Sequence, residues 1–259
     1  MKEVIDKKTP TGWNVVKLGN ELELLYGKSL KKDSREGGHY PVYGSNGIVG
    51  FHNQKAVTGP GIIVGRKGSI GKVHYSKKDF YPIDTTYYVS LKNPHNTLFI
   101  FYLLTYLKLD TMNAHSTIPG LNRKQVYSIE TYFPPLSQQK RIAKTLSTIQ
   151  EAIETQDKII GNLRELKKVV MEKVFTKGLD GEKTKQTEIG EMPEGWELKT
   201  IDQIADIHNT LRQPINSVER SNIKGVYPYC GANGIVDHIN DYRFDGEYVL
   251  IAEDGGYWG

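Results

Sequence analysis

An α+β fold is predicted for this 259-residue chain: a strand-rich module with a small helical part, then one long coiled-coil helix, then the first half of a second such module. Three observations predict it. The stretch "YPVYGSNGIVGFHN" at 40–53 returns as "YPYCGANGIVDHIN" at 227–240, so the chain repeats itself. Short β-branched and aromatic runs alternate with glycines, the pattern of strands joined by tight turns. Between the two copies lies a stretch of about 45 residues whose apolar positions recur at spacings of four and three, a heptad pattern.

The repeat is wider than its best-matching letters. "TPTGWNVVKLGNELELLYGK" around Trp13 is echoed by "EMPEGWELKTIDQIADIHNT" around Trp196, and "GPGIIVGRKGSIG" from Gly59 by "GEYVLIAEDGGYWG" from Gly246. The offset moves from 183 to 187, so four residues are inserted between the first two matches. The chain then divides into a tail at 1–10, a first module at 11–133, a long helix at 134–178, a linker at 179–193 and the N-terminal half of a second module at 194–259. The second copy ends at the counterpart of Gly71, about halfway through. Strands in that half are expected to lack partners, and unpaired buried backbone groups are costly.

Within the first module, "GIIVGRKGSIGKVHYS" reads as hairpins cornered by Gly65, Gly68 and Gly71, and "TTYYVSL" as a further strand. The block 97–109 is its one convincing helix. "TLFIFYLLTYLKLD" falls short of the roughly 20 apolar residues that cross a bilayer, so it is expected to be buried in the module. After "FPPL", two prolines bar an earlier helical start, Ser137 is a candidate N-cap and Gly178 a candidate C′ residue. Ile142, Leu146, Ile149, Ile153, Gln156, Ile160, Leu163, Lys167, Val170 and Val174 form the seam, and eight of these ten are apolar. The 39 residues from Gln138 to Thr176 would span about 58 Å, too long for a helix packed on one small module. A single such helix leaves its seam unburied and calls for a partner.

Composition narrows the function classes. No signal-peptide stretch opens the chain, and the single cysteine, Cys230, excludes an internal disulfide and suits a reducing cytoplasm. The net charge of +4 conceals an asymmetry: +7 over residues 11–133, +4 over 134–178 and −8 over 179–259. A positive module joined to a positive helix points to a polyanion partner; the alternative is a solvated basic surface.

No catalytic apparatus is legible. "GRKGSIGK" at 65–72 fails as a phosphate-binding loop because five residues separate Gly65 from Gly71, Arg66 replaces a required glycine and Val73 follows Lys72. It remains a glycine turn displaying Arg66, Lys67, Ser69 and Lys72, whose amides and cations suit DNA phosphate. The seven histidines show no metal-ligand spacing. His115 lacks a nucleophile and an orienting acid, and no proline-pair motif for amino-group methylation is present. Candidate DNA contacts are therefore Lys28, Lys31, Lys32, Ser45, Asn46, Arg66, Lys67, Ser69, Lys72, His115, Ser116, Thr117, Arg123 and Lys124. The Ser, Asn, His and Arg side chains would read bases and the lysines would hold phosphate.

These blocks, in this order, closely resemble the specificity (S) subunit of type I restriction–modification systems. The resemblance rests on "GWNVVKLGNELELLYGK", "YPVYGSNGIVG", "GIIVGRKGSIGKV", "STIPGLNRKQVYSIETYFPPLSQQKRIAKTL" and the restart at "GEMPEGWELKTIDQIADI". It implies that each module is a target-recognition domain reading one half of a bipartite DNA site. It also implies that the helix is a spacer, pairing with a second one as a ruler. The chain would then be no enzyme. S-adenosylmethionine and adenine N6 methylation would belong to partner modification subunits, and ATP and magnesium to a restriction subunit. The sequence departs from that pattern in breaking off within the second recognition domain, without a second spacer helix. Two chains could pair through the seam of Ile142, Leu146, Ile149, Ile153, Ile160, Leu163, Val170 and Val174. Alternatives are a stand-alone DNA-binding coiled-coil protein and an inactive truncated remnant. A recognition end of a single-chain restriction–modification enzyme would need a methyltransferase region upstream, and only about ten residues precede the module.

Overall fold

The computed structural model describes residues 10–35, 37–113 and 120–252, in two compact units meeting within the long helix, at 168/169. The first unit begins with strand β1 (Asn14–Lys17), a single helical turn α1 (Leu18–Glu21) and β2 (Leu22–Tyr26). A hairpin follows, β3 (Tyr40–Gly44) and β4 (Gly47–His52), then β5 (Gly61–Gly65), β6 (Val73–Ser76), the short β7 (Tyr81–Pro82) and β8 (Thr86–Leu91). Helices α2 (Thr97–Tyr106) and α3 (Arg123–Tyr127) precede β9 (Glu130–Phe133). The long helix α4 spans Leu136–Lys177.

β2, β8, β5 and β6 form an antiparallel sheet in that order, and β4, β3 and β7 form a second, with β3 and β7 parallel. β5 lies between two cores. Ile62 and Val64 face a core of Leu18, Leu22, Leu24, Tyr87, Phe99, Ile100 and Leu104, whereas Ile63 faces Tyr43 and Phe80. A strand buried on both faces needs a continuous apolar run, and "GIIVG" is one. The predicted hairpin over 61–76 is the β5–β6 pair, turned by Gly68 and Gly71 at φ of 74° and 72°. β1 pairs with β9, so the start of the module lies beside its end, immediately before α4.

Three expectations change in detail. The block 97–109 is helical only to Tyr106; Lys108 takes a left-handed conformation, and Leu109 turns back into the core through a 3-10 turn over Leu109–Asn113. Ser137 is not the N-cap of α4, because the helix already starts at Leu136. The carbonyl of Pro135 accepts from the amides of Gln138 and Gln139, so the proline occupies the cap position. The stretch 179–193, expected to be a linker, contains a hairpin, β10 (Thr184–Thr187) with β11 (Gly190–Pro193). Gly190, at φ 118°, supplies the turn that a structureless reading missed. Gly178 ends α4 as predicted, at φ 68°, its amide donating to the carbonyl of Val174.

Only the base of α4 is packed into its module, through Gln139 and Ala143. Ile142 is half-buried, and Leu146, Ile149, Ile153, Ile160, Leu163 and Val170 are exposed. Val174 is intermediate. The 42 residues of the helix span about 63 Å. As expected for a lone coiled-coil helix, its seam is uncovered.

The second unit holds α5 (Ile201–Ile204), α6 (Ser217–Asn222) and a hairpin of β12 (Lys224–Gly231) with β13 (Gly234–Ile239). That hairpin copies β3–β4 pair for pair. Tyr40 opposite His52 becomes Tyr227 opposite Ile239, Tyr43 opposite Ile48 becomes Cys230 opposite Ile235, and the bulge falls at the same step. The counterpart of β5 behaves differently. Ile62, Ile63 and Val64 are at most 1% exposed, whereas Val249, Leu250 and Ile251 are 90%, 68% and 75% exposed and form no strand. β5 is held by β6 and β8, whereas 249–251 pair with no strand among the described residues.

Candidate nucleic-acid interface

The candidate residues gather where three loops meet at one end of the first module. The turn Ser45–Asn46, between β3 and β4, lies against the turn that leaves β5. Lys72 Nζ donates to Asn46 Oδ1 at 2.7 Å, Ser69 Oγ to the same oxygen at 3.4 Å, and His74 Nε2 lies 3.1 Å from the carbonyl of Ser45. The loop 82–86 ties in the other strands. Its Pro82 carbonyl accepts from the amide of Lys28, its Thr85 carbonyl from those of Arg66 and Lys67.

The turn at 65–72 was expected to offer backbone amides to phosphate, and here the geometry corrects the sequence. The amides of Gly65, Arg66, Lys67, Ile70 and Gly71 all donate to carbonyls within the module. Closing so tight a turn consumes these five, and the side chains of Arg66, Lys67, Ser69 and Lys72 become its main offer to a ligand. Gly71 is required there: at φ 72°, a Cβ would strike the backbone of Leu109 and Asp110.

On the same end, Tyr26 pairs with Tyr87 across β2 and β8, their rings 5.2 Å apart. The guanidiniums of Arg66 and Arg123 lie 5.3 Å and 4.6 Å from the Tyr26 centroid. Arg66 Nε and Nη2 donate to the carbonyl of Asp84 at 3.0 and 2.6 Å, and Arg123 Nη1 to that of Leu24 at 3.1 Å. Burial first, then the neighbouring Tyr26 phenol, pushes the Tyr87 hydroxyl above its ordinary value of 10.0 against the pull of both arginines. Its hydroxyl donates to the carbonyl of Leu121, whose amide donates back to Arg66.

Ser45, Asn46, Arg66, Lys67, Ser69, Lys72, Arg123 and Lys28 thus belong to one linked end of the module. Lys124 is exposed beside Arg123 in the first turn of α3. Lys31 and Lys32 lie exposed at a 3-10 turn, Lys32–Ser34, joined to that end by no recorded hydrogen bond among the described residues. His115, Ser116 and Thr117 lie outside the described residues. Among the described residues, none of the candidate lysines and arginines has a carboxylate within ion-pair distance. Nor do three or more His, Cys, Asp or Glu side chains converge on a possible metal site there. Sequence reading missed Tyr26, Tyr87 and His74. Tyr26 shares the in-facing parity of Leu22 and Leu24, so alternation alone assigns it to the core.

A family model for the type I restriction modification DNA specificity domain matches residues 10–164 and 193–259, covering both copies of the repeat. The chain belongs to this family. Among specificity-domain relatives, the type I restriction enzyme MjaVIII specificity subunit of Methanocaldococcus jannaschii is 31% identical over 226 residues, 80% of this chain and 52% of the relative. The EcoDI specificity subunit of Escherichia coli is 25% identical over 81% of this chain and 52% of its own length. The chain therefore spans about half the length of these relatives. The S subunit of a type I restriction–modification system from M. genitalium shares the fold, with a TM-score of 0.58 at 18% identity over 92% of this chain and 64% of that one. A chain from a type I R-M system studied for complex assembly and conformational transition superposes at a TM-score of 0.51, with 19% identity, over 68% of this chain and 49% of its own. The strand-rich module followed by a long helix is thus the fold of the specificity-domain family. No helix among the described residues is long and apolar enough to cross a membrane.

Proposed function

We propose that this chain is the DNA sequence-recognition subunit of a type I restriction–modification complex. Its first module reads one half of a bipartite target, and α4 sets the distance to the other half. The single observation that carries this reading is the family match on both sides of α4, in a chain whose two halves repeat one hairpin in the same register. The gathering at one end of the first module of cations with no carboxylate partner among the described residues supports it, because phosphate contacts supply much of the affinity for duplex DNA. The chain itself carries out no chemistry. Modification subunits supply S-adenosylmethionine and methylate adenine N6, and a restriction subunit brings ATP and magnesium, all in the cytoplasm where Cys230 stays reduced.

The exposed seam of α4 supports pairing of two chains, which places two first modules in inverted orientation. Ile149→Asp with Ile153→Asp then yields a monomer by light scattering where the wild type is a dimer; an unchanged mass removes this pairing. The function is tested by mapping N6-methyladenine in a host that expresses the chain with its neighbouring modification subunit. A bipartite inverted-repeat motif supports recognition by two first modules. No methylation, with the modification subunit soluble, overturns the reading and favours an inactive remnant, as the exposed Val249, Leu250 and Ile251 would suit.

A further inference from the structure

The two arginines on the tyrosine pair are held in a way that an ordinary surface arginine is not. Both Cζ atoms lie near one ring centroid, so they are about 10 Å apart at most, and like charges that close repel. Among the described residues no carboxylate relieves the repulsion. The partners they do have are backbone carbonyls, which orient them without neutralising them. A guanidinium has five N–H groups. Among the described residues Arg66 spends two on Asp84 and Arg123 one on Leu24, so both keep donors for a ligand. Tyr26, half-exposed at the sheet end, leaves the cluster open to solvent.

The second unit shows the contrasting arrangement. There Arg220 lies 5.1 Å from the Tyr229 ring, but Asp237 sits 3.4 Å from its Nε and 2.5 Å from Lys224 Nζ. Hydrogen bonds, first from Lys224, hold the Asp237 carboxyl down to about 2, so one carboxylate offsets part of the positive charge there. By the repeat offsets, the positions of Tyr26 and Arg66 are taken by Asn209 and Glu253 in the second copy. Among the described residues, two arginines sharing a tyrosine pair without a carboxylate are found in the first module.

We propose that Arg66 and Arg123, seated on the Tyr26–Tyr87 pair, form a clamp for the phosphates of one strand of a DNA duplex. The clamp rests on the reading that the chain binds DNA. Guanidinium forks match phosphate oxygens, and successive phosphates of one strand advance about 3.4 Å along the axis, so two neighbouring phosphates fall within reach of the pair. The carbonyl hydrogen bonds and the rings restrict both side chains before DNA arrives, so less rotamer freedom is lost on binding.

The test titrates the full chain against two mixed-sequence duplexes of about 40 base pairs by fluorescence anisotropy, over about 50–300 mM salt. Arg66→Gln and Arg123→Gln keep an amide donor for the carbonyls but remove the charge. Each is expected to lower the magnitude of the log K against log salt slope by about 0.9, and the double variant by about 1.8. At 0.1 M salt each weakens binding about eight-fold on both duplexes. The Arg→Lys variants keep the slope. Tyr26→Leu keeps it too, with weaker binding. A loss confined to one duplex means base reading and overturns the clamp. So does a double variant that melts earlier but retains the wild-type slope, which marks a merely structural role. Binding by the wild type with no effect of the double variant removes the clamp and leaves DNA recognition standing; no binding by the wild type removes both.

Discussion

Replacing Gln139 with leucine should loosen α4 from its module. Gln139 is 2% exposed and makes three contacts there. Its Oε1 accepts from the amide of Asn96 at 3.0 Å, and its Nε2 donates to the carbonyl of Pro134 at 3.0 Å and lies 3.2 Å from His95 Nδ1. With Nδ1 accepting, the His95 proton sits on Nε2, facing Glu21 Oε2 at 2.7 Å. Leucine has similar volume and no polar atoms, so three groups lose their partner. Each buried orphan costs about 1–3 kcal/mol, and the partly buried groups here fall towards the lower end, giving about 2–4 kcal/mol in total. At about 2–4 °C per kcal/mol for a unit of this size, melting moves down by about 4–16 °C. Amide exchange supplies the local readout: the N–H of Asn96, the N-cap residue of α2, donates to Gln139 and should lose protection first. A Gln139→Leu protein that melts within about 1 °C of wild type, with Asn96 still protected, would show that apolar packing alone seats the helix.

Gly71→Ala should cost at least about 2–3 kcal/mol, because it adds φ strain to a clash with the Leu109–Asp110 backbone; urea unfolding reads the loss, and a wild-type midpoint would contradict it. Glu21 gives a pH prediction. Burial alone would raise its carboxyl, but hydrogen bonds from His95 and Asn93 outweigh it and hold the group below its ordinary value of 4.5. The stability this contributes is complete above pH 4.5 and disappears as pH falls through the lower folded value. In His95→Ala, burial prevails and the acid-unfolding midpoint by circular dichroism shifts to higher pH; an unmoved midpoint would dismiss the pair as a contributor. Finally, the amides of 249–251 should exchange within seconds while those of 62–64 stay protected, and equal protection would mean that the second copy buries its strand after all.

The elements that sequence reading located are those with a local signature. The β5–β6 hairpin is written in glycines at fixed offsets, α4 in its heptads, and the end of α4 in Gly178. The pairing of β2 with β8 and of β1 with β9 depends on residues far apart in the chain, and no spacing announces it. The same division runs through the interface. Arg66, Lys72 and Arg123 could be named as cations, but their arrangement around Tyr26 requires the ends of β2, β5 and β8 to be adjacent. The partners of the turn amides were hidden for a related reason. A glycine turn looks like an anion site until the loop 82–86, distant in sequence, is seen to use up two of its donors.

The internal repeat separates what the first half of a module encodes by itself from what needs the second half. The β12–β13 hairpin keeps the register and even the bulge of β3–β4, although Ser45 has become Ala232, Gly50 Asp237 and Phe51 His238. A two-residue turn fixes that register from within, since slipping by one residue would turn every side chain over. α5 likewise reproduces the single turn of α1 at the matching offset. The core strand does not survive the same test. Val249, Leu250 and Ile251 are as apolar as Ile62, Ile63 and Val64, yet among the described residues they have no ladder and no face to pack on, whereas β5 has β6 and β8. Apolar composition is therefore insufficient to make this strand. The neighbours that make it in the first module also bring Tyr87 beside Tyr26, at the end where Arg66 emerges. In the first module the recognition end and the double-sided core are thus built by the same pairing.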